Sequence, residues 1–202
     1  MSRSAAPVVA VLLAAGESAR LGRPKQLLPF RGRTLLRHAA ETALASGCDE
    51  VYVVIGAAHE RMRPALDGLD VEIIVNSEWR EGLGGSIRHG IRAAMQESAT
   101  WSGAMLLLAD QPLVTPVHLQ QMLALFRGND ATIIAARYDA HAGPPVVIGA
   151  PLFPKLLEMH GPSGARSLIA SMPADTILFD LPEAAVDIDV PADERKLYAV
   201  GP

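Results

Sequence analysis

The chain alternates short, almost wholly apolar runs with longer stretches in which apolar residues recur every three or four positions. The runs at 8–14, 50–55, 71–75 and 104–109 are rich in Val, Ile and Leu. They lack the alternation of a sheet with one wet face, so they predict strands buried on both sides. The periodic stretches predict helices over 34–46, 60–66, 86–96, 116–126, 151–159 and 163–170. Thr34 and Thr115 stand where N-caps belong, Pro116 opens the fourth helix, and Gly47 closes the first. Further strands are expected at 131–137, 145–148 and 177–179. Strands spaced by helices imply an α/β chain with a mostly parallel sheet covered on both faces.

Composition narrows the picture. With 202 residues, half of them hydrophobic, and no repeat or linker, residues 1–202 are expected to form one domain. Pro and Gly thicken between 140 and 162, which predicts loops over a site. A formal net charge of -4 argues against nucleic acid as a non-specific partner. The one cysteine, Cys48, allows no intramolecular disulfide and no cysteine-based zinc site, which fits a reducing cytoplasm. Arg3 ahead of the apolar run 5–15 has the outline of a short signal peptide, but a glycine-led polar loop follows at once, as at a strand exit. No run approaches the ~20 apolar residues that span a bilayer, so no membrane partner is expected. The six histidines form no HExxH pair, and GPSGA at 161–165 misses the last position of the G-x-S-x-G elbow. Trp79 and Trp101 read as packing residues.

In parallel sheets, ligands bind beyond the carboxyl ends of the strands, which directs attention to the loops beginning at Ala15, Gly56, Asn76 and Asp110. Residues 13–25 read LAAGESARLGRPK. Ala14, Ala15 and Gly16 are small enough for a ligand to approach the backbone closely. Arg20 and Lys25 bring two cations to the same loop, one able to grip phosphate oxygens bidentately and one a compact point charge. Pro24 fixes the backbone before Lys25. The familiar phosphate motifs fail: Gly22 is followed by Arg23 instead of Lys, and GLGGSI at 82–87 lacks the last glycine of G-x-G-x-x-G. Gly84 and Ser86 still precede a helix start, where backbone N–H groups favour anions. Asp110 leaves a buried strand at its carboxyl end, which suits Mg²⁺, an ion that takes one or two carboxylates plus substrate phosphates.

LAAGxSxRxGxPK after a first strand resembles the signature of the MobA-like NTP transferases, and most closely the molybdenum cofactor cytidylyltransferases. PKQLL at 24–28, GLGGS at 82–86, DQP at 110–112, GAR at 164–166 and DID at 187–189 follow in that family's order over nearly the whole chain. The resemblance implies a three-layer, Rossmann-like nucleotidyltransferase fold, with about 1–112 binding the NTP and about 113–202 the acceptor. It assigns Arg20 and Lys25 to the phosphates and catalysis, Leu13, Ala14, Ala15 and Gly16 to base and ribose, and Gly84 and Ser86 to the nucleotide. It assigns Asp110 to Mg²⁺, with Asp189 preferred over Asp187 as second ligand, and Gly164 and Arg166 to the acceptor. Ala15 before Gly16 resembles the branch that uses CTP, not GTP. The implied reaction moves CMP from CTP to molybdopterin carrying molybdenum, with a transient hand-over to a molybdenum hydroxylase. Two departures fall in the acceptor half: Pro162 replaces an Asp, and Pro144 replaces a His. They keep two other functions open, a carrier of finished cofactor and a nucleotidyltransferase for a sugar or polyol phosphate.

Overall fold

The computed structural model describes residues 7–98, 100–162, 164–188, 190–193 and 195. Along the chain run β1 (Val8–Ala14), β2 (Pro29–Phe30), β3 (Arg33–Thr34), α1 (Leu35–Leu44), β4 (Glu50–Ile55), α2 (His59–Met62) and β5 (Glu72–Val75). There follow α3 (Leu83–Glu97), β6 (Gly103–Leu108), α4 (Pro116–Gly128), β7 (Ile133–Tyr138), β8 (His141–Gly149), α5 (Phe153–Leu157), α6 (Gly164–Ser171) and β9 (Thr176–Asp180). Seven strands form one sheet in the order β5-β4-β1-β6-β8-β7-β9, and β2 pairs with β3 in a separate hairpin. Only β8 runs against its neighbours; the other pairings in the sheet are parallel.

Every residue of β1 is buried, and its successive side chains feed two different cores because a strand turns each residue to the opposite face. Val8, Ala10, Leu12 and Ala14 pack with Leu36 and Ala40 of α1, Met62 of α2, and Leu119 and Met122 of α4. Val9, Val11 and Leu13 pack with Ile87 and Ile91 of α3, Phe153 and Leu156 of α5, and Leu168 of α6. The sheet is therefore sandwiched between two helical layers, as the continuous apolar runs require. The first strand accounts for most of the apolar run near the amino end; residues 1–6 lie outside the described residues.

Local chemistry sets several boundaries. The Thr34 side chain accepts a hydrogen bond from the Arg37 N–H, and Thr115 does the same for His118, so both expected caps are formed. The expected helix 60–66 splits into α2 and a 3₁₀ turn over Arg63–Leu66, because Pro64 has no N–H to continue the α ladder. Helix α3 begins at Leu83, three residues ahead of the expected start near Ser86. Gly84 and Gly85 are poor helix formers, but the Gly84 N–H donates to the Gly161 carbonyl at 2.9 Å, and that tertiary bond draws the turn into the helix.

In the Pro- and Gly-rich stretch from 140 to 162, the strand expected at 145–148 is present but begins earlier than expected, since His141–Gly149 pairs in the sheet where loops were expected around it. Val146 pairs with Ala135 and Gly143 with Ala136, so Pro144 and Pro145 fall in the irregularity between two otherwise regular ladders. A bulge is where a strand tolerates residues that cannot donate to a neighbour.

Candidate active site

The chain leaves β1 towards β4 on one side of the sheet and returns with β6 on the other. The crevice between the carboxyl ends of β1 and β6 is thus the switch point of the sheet, where an open α/β fold holds its ligand. A cavity of about 260 Å³ lies there, lined by Leu13, Ala14, Ala15 and Gly16, by Lys25 and Gln26, by Trp79, Gly82, Leu83 and Ser86, and by Leu108, Ala109 and Asp110. Three of the four expected loops meet in this one cavity. The fourth, at Gly56, lines a neighbouring cleft and abuts the first: a Cβ on Gly56 would lie 2.6 Å from the Trp79 Cβ and 2.8 Å from the Ala15 carbonyl oxygen.

The first loop is held from within. The buried Gln26 donates through Nε2 to the carbonyls of Ala14 and Gly16, both at 2.9 Å. Ser18, in the left-handed region at φ 58, accepts from the Lys25 N–H at 3.1 Å. Gln26 therefore positions the backbone that lines the cavity, a role sequence reasoning did not assign; a Gln directly after the lysine was the available signal. Below the loop, Leu21, Leu28, Phe30 and Leu35 pack with the buried Ile188, the middle residue of the DID motif.

Across the cavity mouth, Lys25 Nζ donates to Asp110 Oδ2 at 2.5 Å, with both side chains only about one-sixth exposed. Two residues 85 positions apart meet as a charge pair at the switch point. The turn after Asp110 is clamped on both sides. Gln111 Nε2 donates to the carbonyls of Pro144 and Ala184, and His38 Nε2 lies 3.1 Å from the Pro112 carbonyl. A carbonyl only accepts, so this imidazole nitrogen carries the proton. Burial is the main reason the His38 pKa is lowered from 6.5; the Pro112 carbonyl opposes that, and Arg33 and Arg31 add to it. The unfolded chain therefore takes up the proton first as the pH falls, and stability present above pH 6.5 is lost progressively below it. In unfolding scans from neutral pH to about pH 5, the wild-type midpoint is expected to fall more steeply than that of His38→Gln. Parallel curves would exclude the contribution.

A second cleft of about 760 Å³ shares Leu83 and Leu108 with the cavity and is lined further by Arg20, Arg166, Ser167, Asp187, Pro144 and Pro162. The structure thus brings Arg20 to this cleft together with Arg166, while Lys25 stands in the cavity itself. Gly143 lets Arg166 come close: a Cβ there would lie 2.9 Å from the Tyr138 hydroxyl and 3.3 Å from Arg166 Nε. Gly164, at φ 37, lines the same cleft, and a Cβ on it would meet Leu83 Cδ2 at 2.6 Å. Gly84 lies beside the cavity with its N–H bonded to Gly161, and a Cβ on it would press on the His160 backbone at 2.9 Å. Asp189 lies outside the described residues. Among the described residues, no group of three or more His, Cys, Asp or Glu side chains gathers as a metal cage, and no helix is long and apolar enough to cross a membrane.

The profile of the MobA-like NTP transferase domain matches residues 10–176. Nicotine blue oxidoreductase of Paenarthrobacter nicotinovorans is 36% identical over 195 residues, covering 93% of this chain and 94% of its own. Purine catabolism protein PucB of Bacillus subtilis is 31% identical over 173 residues, 81% of each chain. Rv0371c of Mycobacterium tuberculosis superposes with a TM-score of 0.83 at 29% identity, covering 96% of this chain and 98% of its own. Its manganese complex matches with a TM-score of 0.79 at 26% identity, covering 96% and 100%.

Proposed function

The chain belongs to the MobA-like NTP transferase family, and from that premise we propose that it transfers CMP from CTP to the molybdenum cofactor with release of pyrophosphate. The observation that carries this reading is the Lys25–Asp110 pair beside two adjoining spaces, a cavity at the switch point and a cleft with Arg20 and Arg166. The nucleotide occupies the first and the phosphorylated acceptor the second, so that about 1–112 hold the donor and about 113–202 supply most of the acceptor wall. An acceptor phosphate oxygen attacks the α-phosphorus of CTP, a new P–O bond forms, and the bond to the bridging oxygen breaks as pyrophosphate departs.

Such transfers depend on alignment and charge neutralisation, with no covalent protein intermediate. Lys25 stabilises negative charge developing on the phosphates from a fixed, shielded position. Arg20 and Arg166 hold the acceptor phosphate bidentately. Gln26 keeps the first loop in register for base and ribose. The donor set fits Mg²⁺, since a single carboxylate, Asp110, with substrate phosphates and water is the usual arrangement, and Asp189 is the proposed second ligand. When bound, a divalent cation neutralises phosphate charge and polarises the α-phosphate; the manganese complex of Rv0371c supports a divalent ion here. A cytoplasmic site of action and a hand-over to a molybdenum hydroxylase accompany this reading.

Pro144 and Pro162 make one wall of the acceptor cleft apolar where the family pattern carries His and Asp, which keeps a sugar or polyol phosphate as the second acceptor class. The deciding experiment is pyrophosphate release from CTP, GTP, ATP and UTP with Mg²⁺ and purified molybdenum cofactor. Turnover with CTP alone is expected. Absence of turnover with any NTP, together with tight cofactor binding, would replace the enzyme with a carrier. The same assay separates transfer from a redox activity of the kind in the name of the Paenarthrobacter relative, which would release no pyrophosphate.

A further inference from the structure

Asn76 follows β5 and is wholly buried. Its amide orientation is determined by a neighbour, because the Glu78 N–H donates to Asn76 Oδ1 at 2.9 Å and an N–H requires an oxygen there. The NH₂ end therefore faces Ser86, and Asn76 Nδ2 donates to Ser86 Oγ at 3.1 Å. Ser86 lines the nucleotide cavity and is 4% exposed. Asn76 is the one side-chain partner of its hydroxyl among the described residues, and the hydroxyl serves it as acceptor. Turning that hydroxyl round would leave a buried amide N–H without an acceptor, a costly state. The Ser86 proton is thus left to point at a ligand in the cavity.

We propose that Asn76 sets the base preference of this site by holding Ser86 as a hydrogen-bond donor, which selects a base that presents a bare ring nitrogen. Cytosine offers N3 with a lone pair to the Ser86 proton, whereas uracil carries a hydrogen on N3; accepting it on the second Ser86 lone pair would leave the Ser86 proton without a partner. The inference rests on the nucleotidyltransferase reading but not on which acceptor takes the nucleotide. Ser86 is the contact residue. Asn76 is a positioning residue that acts through it.

The test is the ratio of CTP to UTP binding, measured by titration calorimetry with Mg²⁺ and no acceptor. A ratio taken on one preparation is unaffected by any fraction that fails to fold. The parent protein is expected to favour CTP, and Ser86→Ala to reduce that preference about ten- to hundredfold. In Asn76→Asp the new carboxylate can only accept, so the Ser86 hydroxyl turns to donate to it and shows its lone pairs to the ligand; preference is expected to move to UTP. In the double variant Asn76→Asp/Ser86→Ala the ratio should equal that of Ser86→Ala alone. A parent that binds UTP as well as CTP, or a ratio unmoved by Ser86→Ala, overturns the proposal. So does an Asn76→Asp effect that survives without the Ser86 hydroxyl. Any of these results alongside CTP-dependent pyrophosphate release removes this inference alone, whereas a parent that binds neither nucleotide and releases pyrophosphate from no NTP removes the nucleotidyltransferase reading with it.

Discussion

Replacing Asp110 with Asn is expected to lower CTP-dependent pyrophosphate release about a thousandfold, on the scale seen when one preorganised electrostatic group is lost. The substitution keeps the shape of the side chain and removes its charge, so it separates electrostatics from packing. Lys25→Met is expected to lose as much, because the ammonium and the carboxylate meet at 2.5 Å in a site largely shielded from water. Groups that act as one unit are strongly non-additive, so the double variant should be little worse than either single one. For a chain of this size, a kcal/mol of lost stability moves the unfolding midpoint by only about 2–4 °C. An inactive variant that melts near the parent temperature would locate the defect in chemistry. Turnover within about tenfold of the parent in both single variants would sink the proposed mechanism.

The second large effect is on stability, and it lies at Gly90 in the middle of α3. A Cβ there would sit 2.4 Å from Val11 Cγ1 of β1 and 3.0 Å from Val54 Cγ2 of β4. Alanine gains about 1 kcal/mol of helix propensity over glycine, yet overpacking of a dense core costs about 1–3 kcal/mol. Gly90→Ala is therefore expected to be net destabilising in urea titrations, and Gly90→Leu to leave little folded protein. Val11→Ala should rescue Gly90→Ala, giving a double variant more stable than the sum of the two single effects predicts. The same helix carries Leu83 and Ser86 to the switch-point cavity, so lifting α3 off the sheet is expected to disturb the proposed nucleotide binding as well as folding. An unchanged midpoint for Gly90→Ala would show that relieving the clash costs no more than the helix propensity gained.

Much of this organisation was legible in residue order. The runs at 8–14, 50–55 and 104–109 became the central strands because only a strand covered on both faces uses so many consecutive apolar residues. Thr34 and Thr115 marked helix starts through a local interaction, a side-chain oxygen reaching an N–H three residues on. Errors gathered where distant segments compete with local preference. The Gly161 carbonyl recruits Gly84 into α3, and β7 extends the strand expected at 145–148 back to His141 despite two prolines.

For the site, the sequence by itself determined the inventory. It named a small-residue loop with two cations, an acidic residue at the end of a buried strand, and a glycine-rich helix start, because each depends on residue types within a few positions of one another. Tertiary structure alone decided how they divide the work. It paired Lys25 with Asp110 across 85 positions, and it set Arg20 in one cleft with Arg166 instead of within the switch-point cavity. It turned Gln26 inward as the brace of the loop and bound Asn76 to Ser86. The physical reason is directional. Composition and spacing specify which hydrogen-bonding and charged groups exist, but a donor acquires a role only when the folded sheet brings an acceptor within about 3 Å of it at a workable angle.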